Sequence, residues 1–522
     1  MWIHPTKNIL MEDANMGKDR KDIDWIITLV PFILIIALCI MFFIMPEQSK
    51  ILLERIRTLF GDTFGIYYLI IGLGVFLISL YLALSKYGNI VLGGKSEKPK
   101  YTFFKWGAMM FTCGLAADIL FYSFSEWILY ASDPHISELG SVQEWAGVFT
   151  LFHWSFIPWS LYLVLAVAFG FMIHVRKRDR QRYSEACRFL IGRHADGIIG
   201  RIIDLLAVFA LLAGTATTFS VATPLMSILI EKIFHIQCDR NIITVVILVI
   251  TCIIYTISLL HGIKGIGRLA DICVYLFFGL LGYVLIFGGQ TRYIIETGFE
   301  SLGRMMQNFI VLSTNTDPLR TSGFPQNWTI YYWAYWMVWC VATPFFIGRI
   351  SRGRTIRQTI LGGYIFGVGS TIMSFIILGN YSMGLYVKNV FDFVAQYNES
   401  GDLYQVIFNI IDTMPGASVV MIVVLITMIA FYATSFDSIA LVASRYCYKK
   451  LGEDQRPDKK IELMWCILLI LLPIALLFAD SSMSNLQSVS IIAAFPIGIV
   501  IILIIISFFK DIREYEGGNK NE

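Results

Sequence analysis

Three kinds of side chain in this sequence sit where chemistry could follow from them: a stripe of aromatic rings, a carboxylate inside an apolar stretch, and a face of hydroxyls. Residues 327–357, NWTIYYWAYWMVWCVATPFFIGRISRGRTIR, carry Trp328, Tyr331, Tyr332, Trp333, Tyr335, Trp336 and Trp339, then Arg349, Arg352, Arg354 and Arg357. Trp333, Trp336 and Trp339 recur every three residues, so they drift along one helical face rather than ring one depth. A second cluster, LFHWSFIPWSLY, puts Trp154, Trp159 and Tyr162 within a helical arc of about 140°. Each cluster alone is better read as bundle packing, the second filling the gap of a helix kinked at Pro158. Together they suit a cationic ligand, because ring faces attract cations by about 0.5–2 kcal/mol each.

The carboxylate is Asp118, in MMFTCGLAADILFYSFSEW, far from either end of its apolar segment. A midspan carboxylate costs roughly 2.5–3.5 kcal/mol on insertion scales, so it is paired or lines a cavity. The structural alternative is a hydroxyl network, with Tyr122 or Ser123 as expected partners. The hydroxyl face is Phe431, Thr434 and Ser435, at i, i+3 and i+4. Hydroxyls and freed carbonyls are the hard oxygens a small cation needs, although Ser and Thr often only bond their own helix. Thr215, Thr217 and Thr218 are candidates for a second ion, whereas Asp271, Asp437 and His153 read as structural.

Helices in a membrane must position these groups. Hydrophobic residues make up 57% and charged residues 15% of the 522, with mean hydropathy +0.67, which excludes a soluble globule. A net charge of +3 gives no footprint for nucleic acid. Nine cysteines, mostly inside apolar segments, argue against a disulfide framework. No signal peptide is read, and no HExxH, GxSxG or channel filter, so neither an enzyme nor a channel is expected.

Spans of about 20 apolar residues are expected at 25–45, 64–85, 103–130, 147–175, 198–231, 242–262, 269–289, 328–349, 360–385, 416–446, 461–480 and 485–509. With twelve spans the basic clusters around Lys18, Lys95, Arg176, Arg349, Lys449 and Lys510 share one side, which makes both termini cytoplasmic in the cell membrane. Lys50, Arg55 and Arg57 fall on the other side, as an amphipathic helix lying on the surface would allow. Residues 293–312 are expected to lie on the outer surface and 350–359 to form an inner counterpart.

The run WTIYYWAYWMVW followed by RISRGRTIR resembles the signature of the betaine/choline/carnitine transporter family, which reads close to WTxFYWAWWxxW and then ARISRGR. Tyr335 stands where that family usually has the first Trp of an adjacent pair. The resemblance implies a five-plus-five inverted repeat behind two additional N-terminal helices, with the site at the repeat interface. The expected divisions are a cytoplasmic segment 1–24, the additional helices 25–102, a first repeat 103–289, an outer surface helix and loop 290–327, a second repeat 328–509 and a cytoplasmic tail 510–522. It further implies that Trp154, Trp159, Tyr162, Tyr335, Trp336 and Trp339 bind a trimethylammonium head, and that backbone oxygens of Thr112 and Leu115 complete a sodium site with Phe431, Thr434 and Ser435.

In that family Gly is typical at the Asp118 position of betaine carriers and Asp in choline carriers; the fourth span and TDPLRTSGFPQNW lie nearer the carnitine exchangers. The exchangers replace sodium with a seventh-span arginine, where this sequence aligns Cys273. The expectation is an all-α polytopic transporter of choline or a similar cation, sodium-coupled, with lipid and a homotrimer as its surroundings and no cofactor beyond the ion. Carnitine, butyrobetaine or glycine betaine transport, proton coupling and a substrate-sensing receptor remain the alternatives.

Overall fold

The computed structural model describes residues 23–114, 116–178, 180–261, 263–451, 455–478 and 483–519, with the side chains at 258–271, 437–438, 478–486 and 518–519 left aside. Leu115 and nearly all of the N-terminal segment 1–24 therefore lie outside the described residues, as do the side chains of Asp271 and Asp437. Among the described residues the regular structure is helical, apart from isolated bridges joining Ile23 to Tyr448 and Val91 to Thr355.

The main helices are α1 (Trp25–Ile44), α2 (Pro46–Arg57), α3 (Ile66–Leu84), α4 (Phe103–Thr112), α5 (Ala117–Ala131), α6 (Val142–His153), α7 (Phe156–Gly170), α8 (Ile198–Phe234) and α9 (Arg240–His261). There follow α10 (Ile263–Phe287), α11 (Thr291–Thr314), α12 (Pro325–Trp339), α13 (Thr343–Ile350), α14 (Ile356–Val387), α15 (Ala417–Tyr446), α16 (Lys459–Phe478) and α17 (Met483–Asn519). Among the described residues nine helical segments, the α6–α7 run counted as one, are long and apolar enough to cross a membrane, or up to twelve if each bent pair is one span. The bent pairs are α4 with α5 (64°), α10 with α11 (110°) and α12 with α13 (57°).

Burial separates the centre from the rim. The α6–α7 segment has 94% of its apolar window buried, against 28% for α1. Ile33, Phe43, Ile70, Leu77, Ile250 and Ile257 stay exposed on the outer helices, as expected where the surrounding medium is hydrocarbon. This is a multi-pass membrane protein.

Several expected elements differ in instructive ways. The basic loop after α1 does form a surface helix, α2, led by Pro46 at its first turn, and Arg57 donates to Gln487 Oε1 (2.9 Å) and Asn327 Oδ1 (3.3 Å). The 293–312 segment is helix α11, turned sharply off α10 and packed on α6. No separate inner element forms at 350–359. A turn through Gly353 (φ 79°) lies against the Lys98 backbone, and α14 then starts behind Thr355, which is boxed with Gln358. The arginines brace that turn: Arg352 pairs with Glu97 (2.5 Å), Arg354 lies 4.3 Å over Trp106, and Arg357 donates to the Ala83 carbonyl (2.7 Å). The kink expected at Pro158 is instead a break at Trp154–Ser155. Pro158 occupies the first turn of α7, where its missing N–H costs nothing.

Candidate functional site

Three backbone interruptions meet around one point. Between α4 and α5 the chain passes through Gly114, where a Cβ would collide with the Ser370 hydroxyl and sit 3.1 Å from Trp159 Cζ2. Between α6 and α7, Thr371 Oγ1 donates to the freed Trp154 carbonyl at 2.8 Å. Between α12 and α13, Pro344 enters the first turn, and Tyr183 donates to the Cys340 carbonyl at 2.6 Å. Side chains thus satisfy carbonyls that the helices release, as a buried backbone requires.

Trp336 is the hub of the aromatic groups. Its ring lies 5.5 Å from Trp154, 6.1 Å from Trp159 and 5.0 Å from Tyr162, and the Trp154 and Tyr162 contacts are edge-to-face. Trp159 and Tyr162 touch one another at 5.7 Å, while Phe375 of α14 backs Trp154 at 5.1 Å. The 140° arc drawn on an unbroken helix does not describe Trp154, which stands at the break, yet all three fourth-span rings reach Trp336. Trp339 lies one turn further on, half-buried over Gly214 of α8, where a Cβ would come within 3.3 Å of its Nε1. The indole N–H groups of Trp159, Trp336 and Trp339 have no hydrogen-bond partner among the described residues.

Asp118 lies in the first turn of α5 and is 3% exposed. The expected partners Tyr122 and Ser123 do not serve it: Tyr122 pairs with the Tyr331 hydroxyl (3.0 Å), and Ser123 with the Ile119 carbonyl and Ser374. Its Oδ2 instead accepts from Tyr335 and from Thr218 Oγ1 (3.3 Å), which are 2.6 Å apart. Oδ1 has no partner among the described residues. Tyr335 also touches Trp154 at 6.4 Å, so the carboxylate and the rings share one wall. Being near a helix N-terminus favours negative charge there.

The hydroxyl face is arranged more locally. Thr434 Oγ1 bonds the carbonyls of Ala430 and Phe431 (both 3.1 Å), and Thr112 Oγ1 bonds the Met109 carbonyl (2.8 Å). Ser435, next to Thr434 in sequence, is half-buried, and Phe431 packs on Phe277 at 5.9 Å. Cys273 of α10 brings its Sγ to 3.8 Å from Thr434 Oγ1. Of the threonines offered for a second ion, Thr215 and Thr217 bond carbonyls of their own helix, and Thr218 belongs to the Asp118 group.

Glu126, two turns beyond Asp118, escaped the sequence reading although it is fully buried. The available signal was a second acid in the same apolar segment.

The chain matches the model of the BCCT, betaine/carnitine/choline family transporter, over residues 26–517. It is 27% identical to a carnitine transporter of Acinetobacter baumannii, covering 81% of this chain and 76% of that one. It is 29% identical to a glycine betaine transporter of Bacillus subtilis, covering 90% and 91%. To a high-affinity choline transport protein of Escherichia coli it is 26% identical, covering 96% and 74%.

Proposed function

The chain belongs to the betaine/carnitine/choline family of transporters, and from that premise we propose that it carries choline or a similar cation into the cell by alternating access, coupled to sodium. Asp118 Oδ1, which has no hydrogen-bond partner among the described residues, carries this reading. The side-chain partners of the other oxygen are neutral hydroxyls, so an acid with a spare acceptor and no cationic side-chain partner among the described residues lies beside the Trp336 cluster. A cation with a hydroxyl group answers both needs: the rings take its methylated head, and the free oxygen accepts its hydroxyl proton. Carnitine, butyrobetaine and glycine betaine are the second reading, favoured by the indole N–H groups of Trp159, Trp336 and Trp339, which have no partner among the described residues and would suit a carboxylate.

Sodium would be held by Thr112, Leu115, Phe431, Thr434 and Ser435. Cys273 supports that assignment, because its thiol stands beside Thr434 where an exchanger of this family would place an arginine. The bent pairs α4 with α5 and α12 with α13, each opening one half, support pairing 103–289 with 328–509 as inverted repeats that rock about the site. Both termini would face the cytoplasm, and the protein would assemble as a trimer.

Counterflow of labelled choline into proteoliposomes, run with and without sodium, tests the proposal. Choline exchange that needs sodium is expected. Exchange of glycine betaine or carnitine with indifference to choline would replace the first reading by the second, and exchange unaffected by sodium but dependent on pH would move the coupling to protons.

A further inference from the structure

Glu126 is completely buried, and the transport reading above gives it no task. A carboxylate at such depth is expensive and argues for a purpose. Both its oxygens are occupied: Oε1 accepts from the Tyr130 hydroxyl and Oε2 from the Trp154 indole Nε1, each at 2.5 Å. With its single proton given to Glu126, the Tyr130 oxygen accepts from His153 Nδ1 (2.6 Å), which leaves Nε2 of a neutral ring to accept from Thr329 Oγ1 (3.0 Å). The chain of contacts joins α5, α6 and the first turn of α12, and the His153 ring stacks on Tyr332 at 4.8 Å.

Trp154 belongs both to this network and to the aromatic cluster. It stands at the α6–α7 break, so no helix sets the direction of its side chain. Thr371 holds its carbonyl and Glu126 its N–H. The neighbouring indoles of Trp159 and Trp336 have no such tether among the described residues. That bond gives direction to a ring without helical support.

We propose that Glu126 is a positioning residue for the transported substrate: through the Trp154 indole it fixes the ring that closes one wall of the Trp336 cluster, and through Tyr130, His153 and Thr329 it ties that wall to α12. The inference rests on reading the cluster as a quaternary ammonium site. It assigns Glu126 no contact with the substrate itself.

The test is a double-mutant cycle in proteoliposomes, with KM and maximal rate measured for whichever of labelled choline, glycine betaine or carnitine the parent carries. Glu126→Ala is expected to raise KM about tenfold while the rate per folded carrier falls less than about threefold, as for loss of a buried hydrogen bond. Trp154→Phe keeps a ring, loses the N–H, and should raise KM by a similar factor. The double variant should be no worse than the worse single one, because both changes cut the same contact. Glu126→Gln, which retains an oxygen for the indole, should stay within about threefold of the parent. A parent-like KM in folded Glu126→Ala, or effects that multiply in the double variant, would overturn the inference alone. If Glu126→Ala does not fold, a parent-like KM in Trp154→Phe overturns it equally. A parent that carries none of the three compounds overturns the transport reading and this inference with it.

Discussion

Tyr335 donates its hydroxyl proton to Asp118, linking the centre of α12 to the first turn of α5 across two separately broken spans. A tryptophan at position 335 would offer no hydroxyl at that place. Tyr335, one of the positions at which this chain departs from that aromatic signature, is therefore a donor to its midspan carboxylate, together with Thr218.

Tyr335→Phe keeps the ring and removes the donor, leaving Oδ2 with Thr218 alone. Stability should fall by about 1–3 kcal/mol, the usual cost of an abandoned buried acceptor. Adding Asp118→Gly should recover part of that loss, since no carboxylate would remain to be satisfied. Thermal unfolding midpoints of the parent, both single variants and the double variant in detergent measure this coupling. Strict additivity would mean that the two residues do not depend on one another.

The cage can be probed apart from the carboxylate. Trp336→Leu retains bulk and loses the π face that meets Trp154, Trp159 and Tyr162. Substrate binding should weaken by about 1–2 kcal/mol. Trp339→Leu should do less, because that ring lies over Gly214, away from the hub. Equal losses from the two changes, read as dissociation constants on purified carrier, would place the ligand along the stripe instead of around Trp336.

Much of this was legible in the sequence, for reasons that differ by feature. The spans follow from apolar length, and the rings and Asp118 from residue type against an apolar background. Breaks were harder. Pro158 advertised a kink, but proline is welcome in a first turn, so the interruption moved to Trp154–Ser155, where no residue type announced it. Partner choice was not legible at all. Tyr122 and Ser123 were near Asp118 in sequence, whereas Tyr335 and Thr218 are near it only after three helices pack. Glu126 was hidden in part for the same reason: Tyr130 is its own i+4 neighbour on α5, but Trp154 reaches it only from the α6–α7 break.

The loop before α12 carries a pH-dependent prediction. Asp317 accepts from the amides of Thr321 (3.0 Å), Ser322 (2.9 Å) and Gly323 (2.7 Å). Burial alone would raise its carboxyl, but these amides outweigh it and hold it well below the usual carboxylate range. A group depressed in the folded state stabilises above its unfolded pKa, about 4, and loses that contribution as pH falls toward the folded value. Asn tolerates the positive φ of 41° found here, so Asp317→Asn isolates the charge. The variant should unfold at a lower temperature than the parent at pH 7, with the gap shrinking below about pH 4. A gap independent of pH would show that the charge contributes nothing.

On the proposed function, the charge of the substrate is decided at Asp118. A zwitterion would bring its own carboxylate toward Oδ1, which has no partner among the described residues, and two like charges repel strongly where water is excluded. A net cation offsets the burial of that charge, and a membrane potential adds about 2.3 kcal/mol per charge at 100 mV to its uptake. Choline should therefore outcompete glycine betaine and carnitine on the purified carrier. Asp118→Gly should reverse the order, because it removes the repulsion while Trp336, Trp154, Trp159 and Tyr162 still hold the methylated head. Asp118→Asn separates charge from shape: it keeps an oxygen for the Tyr335 hydroxyl, so a reversal in this variant as well assigns selectivity to the charge alone. A parent that binds carnitine tightly and ignores choline would make the Asp118, Tyr335 and Thr218 group a strut between α5, α12 and α8, and the free oxygen would have no part in choosing what is carried.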